Sequence, residues 1–171
     1  MTNHSLPYSV PVRLHQVRAG EERRLEPDEA ARRRIAAALD LASLDSFVAD
    51  VTLTTSGQTG WKLSGRVVAD AVQSCGLTLE PLPVHIDTRF SISLTEAVTT
   101  ETDEIDITMD DDTPDLIEEG QIDLGQYAVE QLALRLDPFP RKPGAEFVQP
   151  EEPVEISPFA VLKQLRSSDD G

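Results

Sequence analysis

One cysteine, one tryptophan, two tyrosines and three histidines are spread through 171 residues. The single thiol, Cys75, excludes an intrachain disulfide and a cysteine-cluster zinc site. With five phenylalanines the aromatics make up only 5% of the chain, so a core drawn from its 39% hydrophobic residues must be mostly aliphatic. No apolar run approaches the roughly 20 residues that span a bilayer. The opening MTNHSLPYSVPVRL lacks the charged-then-apolar layout of a signal peptide, which points to a cytoplasmic protein. Positive charge is scarce as well. Fifteen Lys or Arg stand against 31 Asp or Glu, a formal charge of −16. That balance disfavours broad attachment to nucleic acid or anionic lipid.

The charge is unevenly placed. Residues 1–80 carry a net −1 and residues 81–171 a net −15, with ten acids and no base between Glu101 and Glu119. Like-charge blocks are usually solvated loops or interaction surfaces. The length argues for one domain, taken as residues 1–137 with an acidic loop near 101–119, followed by a proline-rich arm over 138–171.

Residues 6–16 alternate, with Leu6, Tyr8, Val10, Val12 and Leu14 on one face. Pro7 and Pro11 on the other face cannot donate to a ladder, which predicts an edge strand. A helix follows Pro27-Asp28-Glu29, with Ala31, Ile35, Ala38, Leu39 and Ala42 at helical spacing, and is expected to reach Leu41. Three long strands come next. Phe47, Ala49, Val51 and Leu53 mark the first. Trp61, Leu63, Val67, Ala69 and Ala71 mark the second, with Gly65 as a bulge or bend. Even positions from Leu82 to Leu94 mark the third. Short connections and one polar face predict an α+β fold with a twisted antiparallel meander, its strand length allowing partial closure into a barrel. Ile105, Ile107 and Met109 alternate with acids and polar residues as a charged edge strand. Asp123 is placed to cap a second helix, with Gln126 as a capping-box partner and Ile122 and Tyr127 as a staple. Asp137-Pro138 ends that helix. Beyond it, Pro138, Pro140, Pro143, Pro150 and Pro153 suit a semi-rigid arm. The arm leads to a third, short amphipathic helix capped by Ser157 and Pro158, with Phe159, Leu162 and Leu165 on one side. About nine residues do not hold a helix alone, so this one must dock on its own domain or on a partner.

Enzyme signatures are missing. There is no glycine-rich phosphate loop with a following Lys, no paired His on a helix and no nucleophile elbow. His15 and His85 fall on polar strand faces, and Cys75 reads as a small buried hydrophobe. Asp110-Asp111-Asp112-Thr113-Pro114-Asp115 lacks the central Gly of a calcium loop. No metal, cofactor or small-molecule substrate is expected. Arg23 and Arg24 lie on the approach to the first helix. Arg32, Arg33 and Arg34 wrap the helix at about 100° per residue instead of forming a stripe, as a solvated face or as a local phosphate patch.

Three blocks are distinctive in combination. The first is Gln73-Ser74-Cys75-Gly76-Leu77-Thr78-Leu79-Glu80-Pro81. The second runs from Ile122-Asp123-Leu124-Gly125 to Leu134, then Asp137-Pro138-Phe139-Pro140-Arg141 and Pro143-Gly144. The third is Ser157-Pro158-Phe159-Ala160-Val161-Leu162 through Leu165. In this order and spacing the chain resembles the YceD family, the large ribosomal RNA subunit accumulation proteins, in their alphaproteobacterial form. The resemblance implies a non-enzymatic cytoplasmic factor for 23S rRNA accumulation and large-subunit assembly. It also marks Cys75, Leu79, Glu80, Pro81, Asp123, Leu124, Pro138, Pro140, Arg141, Pro158, Phe159 and Leu162 as family-motif or partner-binding residues. Many relatives carry two cysteines three apart. Val72 takes the earlier position here, so no metal or redox role carries over.

Two mechanisms fit that role. The acidic half can shield a basic ribosomal protein or bind a pre-50S particle through charge complementarity. Alternatively Arg32, Arg33 and Arg34, or Arg141 and Lys142, touch rRNA directly. Two other classes compete: a general acidic adaptor or chaperone-like module whose tail helix docks in a partner's groove, and a small enzyme built from His85, Cys75 and the acids.

Overall fold

The computed structural model describes residues 6–18, 20–56, 60–96, 114–117 and 119–146. Seven strands and two α-helices follow one another there: β1 (Pro11–Arg13), β2 (Glu21–Leu25), α1 (Glu29–Ala38), β3 (Ser43–Ser56), β4 (Gly60–Ser74), β5 (Pro81–Glu96), β6 (Asp115–Ile117), β7 (Gln121–Asp123) and α2 (Leu124–Ala133). A single 3-10 turn, Leu14–Gln16, follows β1. The main sheet has the order β2-β3-β4-β5-β6, and β1 pairs with β7 in a separate ribbon.

The meander forms as the alternation predicts. Phe47, Ala49, Val51 and Leu53 of β3, Leu63, Val67, Ala69 and Ala71 of β4, and Ile86, Phe90 and Leu94 of β5 are all buried. Intervening positions, such as Asp50, Asp70 and every odd residue of β5, face outward. Both helices cover the buried face, since Ile35 and Ala36 of α1 and Leu124, Ala128 and Leu132 of α2 belong to one apolar cluster with the strands. Ten-residue helices are marginal alone, so burial on the sheet is what sustains them.

Several expectations are corrected. The sheet is open, not a partial barrel. Among the described residues its edges are β2 and β6, and no ladder joins them to close the circle. Glu21–Leu25, carrying Arg23 and Arg24, is strand β2 instead of an approach to α1. Its unbroken run of charges hides the alternation and suits an edge. The first strand shrinks to Pro11–Arg13 and pairs with β7, because Leu14–Gln16 turns away as a 3-10 segment. Helix α1 stops at Ala38, and Asp40 takes a left-handed φ of 53°, which ends the helix before Leu41.

Gly65 is not a bulge. The β3–β4 and β4–β5 registers run through it without a break, and the one irregularity lies between Leu44 and Ser46. A side chain at Gly65 would sit 2.6 Å from the Asp50 carbonyl oxygen and 3.0 Å from the Phe90 ring. The glycine lets Phe90 pack over the middle of the sheet.

The expected edge strand over 105–109 and the tail helix over 157–166 lie outside the described residues. Within the acidic stretch, β6 forms further on and pairs parallel with the end of β5, Leu94 opposite Asp115. Tyr127 of α2 donates from its hydroxyl to the Asp115 carboxylate at 3.3 Å. Burial and that carboxylate push the phenol up to about 12.

Gly65→Ala is expected to lower stability by about 1–3 kcal/mol, because neither the Asp50 backbone nor the packed ring can yield freely. Urea denaturation of the two proteins measures the difference.

Candidate functional site

The β4–β5 connection, Cys75 to Glu80, is closed by bonds from the Cys75 amide to the Glu80 carbonyl and from the Leu79 amide to the Cys75 carbonyl, both 2.9 Å. Leu79 adopts a left-handed φ of 59°, a cost of about 1–2 kcal/mol for a residue with a Cβ. That turn throws its side chain outward, where it is 79% exposed.

The start of the arm is bonded to this turn. Gln73, a buried amide at the end of β4, donates from Nε2 to the Asp137 carbonyl at 2.9 Å. The Gly76 amide donates to the Pro140 carbonyl at 2.8 Å. The Lys142 amide donates to Cys75 Sγ at 3.4 Å, and Lys142 Nζ pairs with Glu80 at 2.9 Å. Thus Cys75, Glu80, Pro140 and Lys142 meet although about sixty residues separate the two segments. Between them, α1's end and α2's end opens a shallow cleft of ≈ 680 Å³, lined among others by Leu39, Leu77, Leu79, Leu136, Pro138 and Phe139. Phe139 is 78% exposed.

Cys75 is fully buried. The Thr78 hydroxyl and the amides of Lys142, Leu77 and Thr78 stabilise its thiolate and pull the thiol down to about 6. Thr78 has one hydroxyl proton for two acceptors, since it also donates to Glu80 Oε2 at 2.9 Å. The carboxylate bond competes with the thiolate for that proton. Glu80 is itself held below the usual carboxylate range by Lys142 and Thr78.

The remaining sequence candidates lie elsewhere. Asp123 caps α2 by accepting the Gln126 amide at 3.0 Å, and it also accepts the Val10 amide at 2.8 Å and the Ser9 hydroxyl. It thereby ties the amino-terminal segment to α2. The anticipated capping-box return does not form, because the Gln126 side chain bonds Glu130 instead. Leu124 is core. Arg32 donates to the Pro27 carbonyl, Arg34 to the Pro7 carbonyl, and Arg33 pairs with Glu29. Pro81 begins β5. Arg141 is exposed and lines the cleft. Pro158, Phe159 and Leu162 fall outside the described residues.

His85 sits on the open sheet face. Its Nδ1 lies 2.7 Å from Asp70, whose other oxygen accepts Ser46 Oγ at 2.7 Å. Asp70 is lowered by His85 and Ser46. Cys75 lies at the end of the opposite, buried face, so the two do not share a site. Among the described residues no group of three or more His, Cys, Asp or Glu is placed to hold a metal. Sequence reasoning missed Gln73 and Thr78 as supports of this turn. A buried polar residue at a core-facing strand position was the available signal for Gln73.

A thiol lowered in the folded state stabilises the fold above its ordinary value near 9 and loses that contribution as pH falls through about 6. Stability is therefore expected to rise between pH 6 and 9, and Cys75→Ser to flatten that rise. Thiolate ultraviolet absorbance should develop near pH 6, and Thr78→Val should move it upward. Denaturation at stepped pH and the absorbance titration check both.

No curated protein and no solved structure matches the chain. The profile of the family described as "Large ribosomal RNA subunit accumulation protein YceD" matches residues 63–166, which begin within β4 and take in β5, α2, the Cys75 turn and the arm. That span is more than half of the sequence, and the chain belongs to the YceD family.

Proposed function

We propose that this protein is a non-enzymatic cytoplasmic factor, of the alphaproteobacterial type, that supports 23S rRNA accumulation by shielding a basic ribosomal protein on its way into the large subunit. The family association with large ribosomal RNA subunit accumulation supplies the process. The observation that carries the mechanism is the state of the arginines. Arg32, Arg33 and Arg34 each spend donors on their own chain, two of them on backbone carbonyls and one on Glu29. These bonds hold a run of three arginines against its own chain, in a protein whose net charge is −16. RNA would have to approach against the field of the acidic half, whereas a basic protein is drawn to it.

In this reading residues 1–137 are one domain and 138–171 its arm. Cys75, Leu79, Glu80, Pro81, Pro138, Pro140 and Arg141 shape the partner-facing end, with Pro158, Phe159 and Leu162 contributed by the tail. Asp123 and Leu124 act behind it by seating α2. In the competing reading rRNA is contacted by Arg32, Arg33, Arg34, Lys142 and Arg141. Its neighbour Lys142 is engaged with Glu80.

Deletion of the gene followed by gradient profiling is expected to show depleted large subunits. Normal large-subunit levels would overturn the assembly role. Capture of a basic large-subunit protein by the tagged chain is expected to survive ribonuclease. Loss of every such protein after digestion would sink the shielding mechanism in favour of RNA binding.

A further inference from the structure

We propose that, in the free protein, the chain's own tail, residues 157–166, occupies the cleft between the β4–β5 turn and the arm. The cleft displays apolar surface that nothing in the described structure covers. Leu79 and Phe139 are 79% and 78% exposed on its rim. Of the three described non-glycine residues with left-handed backbone, Asp40 and Leu79 line it. Strain that holds a leucine out in water is a mark of a binding feature.

The tail has the complementary pattern. Phe159, Leu162 and Leu165 recur on one side of a helical repeat, and the segment is too short to persist unless that side is covered. Lys163 and Arg166 are opposite in charge to the cleft's Asp40 and Asp137, which outnumber its one base, Arg141. The described arm ends at Glu146, four residues after the Lys142 bonds that pin it to the cleft's edge. Ten residues, 147–156, then connect to the tail, enough for about 33–36 Å when extended. A second groove, beside Leu116, lies at the other end of β5 and has a polar lining from Asp115, Glu119, Gln121, Gln126 and Glu130. A tethered segment meets its site at an effective concentration in the millimolar range, so a modest apolar contact suffices.

Disulfide trapping in the purified full chain tests this. Leu79→Cys with Phe159→Cys is expected to form a bond within one molecule, at a rate independent of protein concentration. The reference is the same pair carrying Leu162→Asp, which keeps the exposed position and the tether and charges the apolar side of the tail. The cleft pair should close about tenfold faster, as a docked site raises local concentration above that of the tether alone. Peptide mapping separates either bond from one involving Cys75. Equal rates with and without Leu162→Asp, or a rate that rises with protein concentration (a second copy in the cleft), would each overturn the assignment.

Discussion

Three strands of 14 to 16 residues share one buried face, and covering that face constrains the rest of the chain. The buried positions are Val, Leu, Ala, Ile and Phe at every second residue, with the opposite positions given to Ser, Thr, Arg and Asp. A sheet so divided cannot be covered on the wrong side or shifted by one residue without exposing its whole apolar set. Helices α1 and α2 are the cover. Their apolar sides are narrow, and each depends on a capping aspartate, Asp28 or Asp123, that takes up an amide of its first turn. Asp123 does more than cap. By also binding the Val10 amide it fixes the amino-terminal segment across the start of α2, where Gly125 leaves room for that backbone to pass.

The same one-sided architecture positions the Cys75 turn. Strand β4 ends with Gln73 on its buried face and Cys75 two residues on, so both point toward the space beneath the sheet's end where α2 finishes. The arm leaves α2 at that level and finds the Gln73 amide, the Gly76 amide and the Cys75 sulfur already presented. A buried thiol bound by amides and an adjacent Lys142–Glu80 pair make a joint between two distant segments, and nothing in its geometry requires chemistry. The family-motif residues around it are read most simply as the parts of that joint and of the apolar rim it supports.

Much of this was legible from period and punctuation. Strands β3 to β5 were plain because burial on one face imposes strict alternation, and α2 because Asp123 and Pro138 bracket an apolar repeat. Strand β2 was hidden because Glu-Glu-Arg-Arg-Leu meets an edge requirement, not a core requirement. Strand β6 was hidden because three residues inside an acidic run carry too little pattern. Closure into a barrel was inferred from strand length alone, whereas closure needs a ladder between the edges, and β2 and β6 form none. The first and second family blocks could be recognised as blocks, but their mutual contact could not. The bonds from Gln73 to Asp137 and from Cys75 to Lys142 join residues more than sixty positions apart, and local sequence carries no trace of such pairings.

Parallel pairing of β6 with β5 has a geometrical corollary. Residues 94–96 lie beside residues 115–117, so the intervening stretch leaves and re-enters the sheet at the same end. Asp115, the first residue of β6, therefore stands at that end, while the Cys75 turn and its apolar cleft belong to the other end of β5, beyond Pro81. Sixteen residues of extended strand put about 50 Å between them. The two ends of β5 are thus too far apart for one small partner to touch both.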